Sequence, residues 1–283
     1  MKDFYCFIHI EKCAGTTLHH SIKYNLPGYL ILKPWYYWSN ERGNFLNDKE
    51  LRWLKICFPF LSGMGGHTTR TFTNYESVVG KDVKYFTFLR DPIARYMSQY
   101  NHHVNKKGRD WAIEDFVEDR RFNNYITRRV ADGEDLNLAK LRLSEDYSFV
   151  GLFEDFDESL VMLEQFIFKN EIALNYEHKN DSLRENKVRY DNLSEELKKS
   201  ILKNNALDLE LYEYVCKEIY PKYKKDYTGN LEDDTKIFKD KNKSYHFNKI
   251  RYQLIRFSRV LTDNVIQRLV HTIFKNKTDS NLE

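Results

Sequence analysis

The sequence predicts an α/β fold: a central, mainly parallel sheet of five strands, with helices on both faces and a helical extension at the C-terminus. Five short runs are almost continuously apolar, which is typical of strands buried on both faces of a parallel sheet. Helical patterns lie between them, and strands joined by helical crossovers favour a doubly wound arrangement. The length of 283 residues suits one such domain with an appendage.

The elements follow in order along the chain. The strands are predicted at 4–10, 28–33, 58–64, 83–89 and 147–153. A helix over 47–57 begins with the capping residue Asn47, and a helix over 91–104 carries Pro92 in its first turn. Five more helical stretches are predicted: WAIEDFVED, NNYITRRVADG and LNLAKLRLSE before the last strand, and EDFDESLVMLEQFIF and SEELKKSILKNNALDLELYEYVCKEIY after it.

The composition changes near the C-terminus. We predict a main domain over 1–228, a polar, lysine-rich linker over 229–247, and an amphipathic basic helix with its tail over 248–283. The apolar stripe of this helix consists of Ile250, Leu254, Phe257, Leu261, Val265, Leu269 and Ile273. Its other face carries the cations Lys249, Arg251, Arg256, Arg259, Arg268 and Lys275 and one acid, Asp263. Such a helix is expected to pack on the domain or on another subunit, or to contact a membrane peripherally.

Composition excludes several classes of protein. The net charge of +3 gives no global field for nucleic acid, so we expect no nucleic-acid partner. The four cysteines lack any C-x-x-C pair, which argues against a disulfide framework or a zinc site. No apolar run approaches the ~20 residues that span a bilayer. The first strand begins by Phe4, which leaves no room for a signal peptide, so a cytoplasmic protein is expected, with the inner membrane face as the alternative.

The first strand leads into a candidate anion-binding loop, FIHIEKCAGTTLHHSI, at 7–22. A loop that starts a helix points backbone N–H groups and the positive end of the helix dipole at its ligand. Gly15 allows close approach, Thr16 and Thr17 add hydroxyl donors, and Lys12 adds a charge. The G-x-x-x-x-G-K-[ST] spacing of nucleotide triphosphatases is absent. The alternative is a capped helix with an incidental lysine.

A second strand-to-helix junction, YFTFLRDPIARYMSQY at 85–100, indicates another anion site. Arg90 stands at the junction and Ser98 lies about two turns into the helix. The carboxyl ends of the first and fourth strands of a parallel sheet share the ligand-binding edge. Two anion sites on one edge predict a ligand with two separated phosphate groups, such as adenosine 3′,5′-bisphosphate, in preference to a nucleoside triphosphate.

These motifs resemble those of sulfotransferases that use 3′-phosphoadenylyl sulfate (PAPS). IHIEKCAGTT resembles their 5′-phosphosulfate loop and FLRDPIARYMSQY their 3′-phosphate motif. Within this family the chain is similar to glycosaminoglycan O-sulfotransferases, especially the heparan-sulfate 6-O and 2-O types. The segments NNYITRRVADG, LAKLRLSEDYSFVGLFEDFDESL and NALDLELYEYV extend the resemblance, in the same order, over about 4–225. It implies a P-loop-like three-layer sandwich, PAPS as co-substrate, and nucleotide contacts from Lys12, Cys13, Ala14, Gly15, Thr16, Thr17, Arg90 and Ser98.

The loop departs from the family pattern at two places. Glu11 stands where animal relatives usually have proline, and its side chain is expected to point away from the ligand. Cys13-Ala14 replaces Thr-Gly or Thr-Ala, at a cost of at most one hydroxyl because backbone amides do most of the binding. The membrane anchor of the animal enzymes is not seen in this sequence, which favours a cytosolic enzyme acting on a different glycan.

Sulfuryl transfer needs in-line placement of the reacting groups, stabilisation of the charge that develops on the leaving phosphate, and a base for the acceptor hydroxyl. Lys12 is expected to meet the leaving 5′-phosphate. His67, in GMGGHTTRT after the third strand, is the preferred base, and the family's catalytic histidine lies in a comparable segment. No metal is expected, because the fourth strand ends in Leu-Arg-Asp and no Walker-B pattern is present.

The other histidines are weaker candidates for the base. His9 is expected to be a core histidine of the first strand. His19 and His20, on the first helix, are expected to point away from at least one side of the site. His102 and His103 follow the second anion motif and are expected to touch substrate.

The acceptor is expected to be a carbohydrate hydroxyl. The alternatives are a lipid, a peptide tyrosine or a small alcohol, or a non-catalytic nucleotide-binding module. Arg128 and Arg129 could bind an anionic acceptor or the nucleotide, or form a solvated basic face. The aromatic run PWYYW at 34–38 could stack on sugar rings or simply pack.

Overall fold

The computed structural model describes residues 3–32, 45–177, 187–270 and 272. The PWYYW run, Ile273 and Lys275 therefore lie outside the described residues. The described chain forms a sheet of five strands with the spatial order β2-β3-β1-β4-β5, and every pairing is parallel. Helices cover both faces, so the predicted P-loop-like three-layer fold is confirmed. The strands are β1 Phe4–Ile8, β2 Tyr29–Ile31, β3 Gly63–Gly66, β4 Val83–Leu89 and β5 Phe149–Leu152.

The third strand is displaced from its predicted position at 58–64. The apolar run that suggested it instead ends a helix, because the N–H of Phe58 caps that helix on Leu54 O and Phe60 is 87% exposed. Three of its four residues are glycines, because a Cβ at any of these three positions would lie within 3 Å of a neighbouring atom. A Cβ on Gly65 would lie 2.1 Å from the Tyr29 hydroxyl. The position of this strand therefore depends on close packing against neighbouring aromatic side chains, which the apolar pattern of the sequence does not reveal.

The helices agree with most of the predicted ones. α2 begins with a capping box between Asn47 and Glu50, and Asp91 caps α4 by accepting from the N–H of Ala94. The short helix α3 was not predicted. The α-helices are α1 Gly15–Asn25, α2 Asp48–Cys57, α3 Glu76–Val79, α4 Pro92–Asn105, α5 Ile113–Glu118, α6 Tyr125–Ala131, α7 Leu136–Glu145, α8 Phe156–Phe166, α9 Glu195–Asn204, α10 Ala206–Tyr214, α11 Tyr220–Asp226, α12 Leu231–Lys243 and α13 Lys249–Leu261.

The register of the central strands creates one common edge. Ile8, the last residue of β1, is paired with Gly66 at the end of β3 and with Thr87 near the end of β4. The loop after β1 is therefore flanked by the residues that leave β3 and β4. All five residues of β1 are buried, as expected for the strand at the centre of the hydrophobic core.

The segment 229–247 is not the polar linker that its composition predicted. It contains α12, which packs on α8 and buries Phe238. Asn242, also buried, accepts hydrogen bonds at Oδ1 from Asn175 Nδ2 at 3.0 Å and from the N–H of Tyr176 at 3.2 Å. The polar composition suggested a linker because only a few apolar residues of this helix face the domain, and polar contacts complete the packing. α13 follows as predicted, and among the described residues no helix is long and apolar enough to cross a bilayer.

Candidate active site

A cleft of about 940 Å³ opens at the common edge of β1, β3 and β4. Its volume is in the range of sites for small ligands. Of the predicted site residues, it brings together Lys12, Ala14, Gly15, Thr16, Thr17, His67, Arg90, Ser98, His102 and Arg128. Cys13 does not line it.

The loop between β1 and α1 has an unusual backbone. Lys12 and Ala14 both adopt positive φ, at 70° and 60°. Left-handed conformations are unfavourable for non-glycine residues, and strain of this kind concentrates at ligand sites. No side chain caps α1, and the N–H of Thr17 already donates to Ala14 O. The amides of Gly15 and Thr16 therefore remain available to an anion.

Cys13 and Gly15 contribute through the backbone. Cys13 is only 1% exposed, and burial raises the pKa of its thiol to about 12, so the side chain is a neutral part of the core. Gly15 is required by a close approach, since a Cβ there would lie 1.9 Å from His9 Nε2. The loop thus packs a histidine ring directly against the start of α1.

The second anion motif is tied to the first. Arg90 donates from Nη1 to the carbonyl oxygen of Lys12 at 3.2 Å, and its guanidinium lies 4.2 Å from the centre of the Phe153 ring. Its buried Nε has no hydrogen-bond partner among the described residues. Ser98, which belongs to α4, lines the same cleft as Arg90.

A second cleft of about 860 Å³ continues from the first along α4. Four residues line both clefts, namely Lys12, Arg90, Ser98 and His102. The far wall includes Arg189 and Tyr190, which sequence analysis missed because they follow a segment without any recognisable motif. The two clefts form one groove that passes over both anion motifs.

His67 follows β3, as predicted, and its geometry suits a base. Nδ1 lies 3.0 Å from the carbonyl oxygen of His9. A carbonyl can only accept, so Nδ1 carries the proton and Nε2 has the free electron pair. Burial lowers the pKa of His67, and the carboxylate of Glu11 opposes this effect. The imidazole is therefore neutral at pH 7 and can take up a proton.

The expectation that Glu11 points away from the ligand is wrong. Glu11 lines the cleft and accepts a hydrogen bond from Gln99 Nε2 at 2.8 Å. Burial would raise its pKa, but His67, Arg129 and the bond from Gln99 outweigh burial and lower it. An acid is tolerated here because cations and an amide surround it.

Two other histidines lie closer to the site than the sequence alone indicated. His9 lies one residue beyond β1 and lines the cleft. His19 is buried and points toward the site, because its Nε2 lies 3.2 Å from His9 Nδ1. Sequence analysis missed both because helical phase alone does not show which face of α1 packs against β1.

The remaining histidines on α4 have different surroundings. His102 lines the cleft, and burial, reinforced by Lys12, lowers its pKa to about 4. His103 does not line the cleft. It stacks on Trp111, and its Nε2 accepts a hydrogen bond from Gln99 Nε2 at 3.1 Å, so it supports Gln99.

Several cations line the cleft, two of them bonded to the backbone of His67. Arg129 donates from Nη2, and Arg70 from Nη1 at 2.8 Å, to the carbonyl oxygen of His67. Arg128 is exposed and donates to Arg120 O at 2.9 Å. Lys107 and Arg121 also line this cleft.

Several buried polar atoms of cleft residues have no hydrogen-bond partner among the described residues, which is expected where a polar ligand binds. They are Thr68 Oγ1, Arg70 Nε, Arg90 Nε, Gln99 Oε1, His102 Nδ1 and Arg129 Nε. Within the described ranges, no group of three or more His, Cys, Asp or Glu could hold a metal ion.

Comparison with known proteins decides the family. A family model described as "Sulfotransferase family" matches residues 2–215. The chain belongs to the sulfotransferase family. It is therefore a transferase of sulfur-containing groups. No curated protein matches this sulfotransferase sequence.

Two solved structures are similar to this sulfotransferase. One is the crystal structure of a sulfotransferase from Alicyclobacillus acidocaldarius, with 15% identity and a TM-score of 0.45, covering 79% of this chain and 99% of that chain. The other is the crystal structure of a fungal RNA kinase, with 13% identity and a TM-score of 0.31, covering 87% of this chain and 100% of that chain. The family assignment rests on the match of the family model.

Proposed function

We propose that the protein transfers a sulfuryl group from PAPS to a hydroxyl group of an acidic carbohydrate, with His67 as the base. The observation that carries this proposal is the groove itself. It is lined by an uncapped helix start, by Arg90 and Ser98, and by a histidine whose Nε2 is free to accept a proton.

The groove suits a donor with two separated anionic groups. The 5′-phosphosulfate would lie on the amides of Gly15 and Thr16, with the hydroxyl groups of Thr16 and Thr17 and the charge of Lys12 nearby. The 3′-phosphate would lie on Arg90 and Ser98. The orphaned Nε of Arg90 supports this assignment, because one face of the guanidinium already stacks on Phe153 and the remaining donor needs an acceptor.

The chemistry needs only groups that this groove supplies. A bond forms between the acceptor oxygen and sulfur while the bond from sulfur to the bridging oxygen breaks. The electron pair of that bond leaves on the 5′-phosphate, where Lys12 neutralises it. The proton of the acceptor hydroxyl passes to Nε2 of His67. No redox step is involved.

The acceptor would enter from the end lined by Lys107, Arg121, Arg128 and Arg129. These cations are not among the residues assigned to the donor, so they favour an acceptor with carboxylate or sulfate groups. Of the two adjacent arginines, Arg128 is exposed and Arg129 is only partly exposed, so Arg128 is the more accessible to an acceptor.

Sulfate transfer from ³⁵S-labelled PAPS to acidic and to neutral polysaccharides tests the proposal. We expect label in the acidic glycans, and Arg128→Ala should weaken use of that acceptor with little change in adenosine 3′,5′-bisphosphate binding. Labelling of only lipids, tyrosyl peptides or small alcohols would contradict the carbohydrate assignment. Binding of the bisphosphate without any transfer would indicate a non-catalytic module.

A further inference from the structure

A line of buried hydrogen-bonding groups leads from the core to the anion loop. The hydroxyl of Tyr29 lies 2.8 Å from Nδ1 of His19, and Nε2 of His19 lies 3.2 Å from Nδ1 of His9. Tyr29 is 0% exposed, His19 4% and His9 9%. The three residues come from β2, α1 and the end of β1, so tertiary packing alone brings them together.

The direction of these bonds follows from the tyrosine. Among the described residues, the only acceptor for the buried Tyr29 hydroxyl is Nδ1 of His19. The Tyr29 hydroxyl must donate this hydrogen bond, because in the opposite direction its hydrogen would be buried without an acceptor. His19 then carries its proton on Nε2 and donates to Nδ1 of His9. His9 in turn carries its proton on Nε2.

The face of the His9 ring, at Nε2, lies against Gly15 in the anion loop. A Cβ added to Gly15 would lie 1.9 Å from this nitrogen, so the ring lies directly over the first residue of α1. His9 lines the cleft, and the centre of its ring is 4.0 Å from that of His67. Its Nε2 has no hydrogen-bond partner among the described residues.

We propose that His9 is a further binding residue of the transfer site: a neutral imidazole whose Nε2–H donates to an oxygen of the donor's 5′-phosphosulfate. His19 and Tyr29 are positioning residues that hold His9 in this tautomer. This inference rests on the proposed function for the identity of the anion. A neutral donor has a clear advantage here, because an imidazolium 4.0 Å from His67 would make His67 a weaker base.

Two-bond ¹⁵N–¹H correlation spectra of the imidazole rings test the tautomers directly, without any turnover. We expect neutral rings protonated at Nε2 for both His9 and His19, and protonated at Nδ1 for His67. Adding adenosine 3′,5′-bisphosphate should shift the Nε2–H resonance of His9. A His9 protonated at Nδ1, or at both nitrogens, would overturn the proposal even if the protein proves to be a PAPS enzyme. Correct tautomers with no response to the bisphosphate would overturn the anion contact.

Tyr29→Phe removes the hydroxyl that sets the direction, and Tyr75→Phe is the matched control. Tyr75 is equally buried and donates to Leu46 O, outside this chain of groups. Both variants should lose some thermal stability, but only Tyr29→Phe should change the His9 tautomer. His9→Leu should weaken bisphosphate binding about 10- to 100-fold, and His9→Gln, which restores an N–H donor, should recover part of it. Equal effects of Leu and Gln would mean that His9 only fills space.

A separate observation concerns α13 and the helical backbone that continues through residue 270. Its apolar stripe is exposed over five turns. The residues are Ile250 at 76%, Leu254 at 66%, Phe257 at 73%, Leu261 at 51%, Val265 at 53% and Leu269 at 54%. The other side is docked on the domain, because Arg251 stacks on Tyr24 and Gln267 donates to Ile31 O at 2.8 Å.

The charges beside the stripe indicate what covers it. Exposed Lys249, Arg256 and Arg268 lie along the same length of helix, and Asp263 is the only acid between residues 249 and 270. The spacing of the stripe, 4-3-4-4-4, departs from the 4-3 alternation of a coiled-coil seam. Two copies packed through this face would also bring like charges together, whereas an anionic surface would neutralise them.

We propose that this stripe docks on an anionic lipid surface, with the apolar side chains inserted among the acyl chains and the cations at the headgroups. The full chain should float with vesicles containing phosphatidylglycerol and not with pure phosphatidylcholine. Phe257→Glu should abolish flotation and leave transfer to a soluble acceptor unchanged. Phe60→Glu, at an exposed apolar residue far from the stripe in sequence, is the control. Absence of flotation, or a concentration-dependent dimer that Phe257→Glu dissociates, would overturn the proposal.

Discussion

Nδ1 of His67 donates to the carbonyl oxygen of His9 at 3.0 Å, across the parallel pair β1 and β3. This bond leaves Nε2 of His67 as the atom that can receive a proton. It also places the base next to the anion loop, because His9 is the first residue beyond β1.

His67→Ala should therefore remove the base without removing the nucleotide site. We expect the transfer rate to fall by about 10²–10⁴. Binding of adenosine 3′,5′-bisphosphate, measured by calorimetry, should stay close to wild type, because the proposed mechanism assigns His67 to the acceptor and not to the nucleotide. Near-normal turnover with an unchanged pH profile would remove His67 from the mechanism and direct attention to His102.

The pH dependence of turnover should depend on the charge of Glu11. Burial lowers the pKa of His67 and Glu11 raises it, so the net lowering places the acid limb of turnover below pH ~6.5, the ordinary histidine value. Glu11→Gln removes the negative charge, so the limb should move to still lower pH. A limb that moves upward, or does not move, would show that Glu11 does not act on His67.

Arg90→Ala separates the two phosphate groups of the nucleotide. We expect the affinity for adenosine 3′,5′-bisphosphate to fall by about 10- to 100-fold, the loss of a hydrogen bond to a charged group. The affinity for adenosine 5′-monophosphate should fall much less. Ser98→Ala, on the same wall of the groove, should repeat the pattern more weakly. Equal losses for both nucleotides would mean that Arg90 acts only through its bond to Lys12 O.

Gly15→Ala should destabilise the protein through the His9 ring. The added Cβ would lie 1.9 Å from His9 Nε2, and relieving such a clash in a packed region costs about 1–3 kcal/mol in the free energy of unfolding. Urea denaturation measures this loss. Adding His9→Ala should recover stability in the Gly15→Ala background. Ala14→Gly is the backbone control, and at φ 60° it should cost little or nothing.

The sequence by itself determined the features that depend on neighbouring residues. β4 at 83–89, the caps of α2 and α4, and both anion motifs follow from short patterns of apolar, capping and turn residues. These are local effects of backbone preference and hydrogen bonding, so they can be predicted without knowing which strands meet. The position of His67 after the glycines of β3 also follows from the local sequence, whereas its role as the base stays a prediction that draws on the family resemblance.

Tertiary structure decided everything that depends on strand order. β3 lies beside β1 only because the sheet runs β2-β3-β1-β4-β5, and this contact turns His67 toward the His9 carbonyl and brings Glu11 into the cleft. Hydrogen bonds connect Tyr29, His19 and His9, which lie on three different elements. Their positions in the sequence do not show that these elements are in contact. The helix Leu231–Lys243 likewise depends on α8, because its few apolar residues gain stability only when that surface is present to bury them.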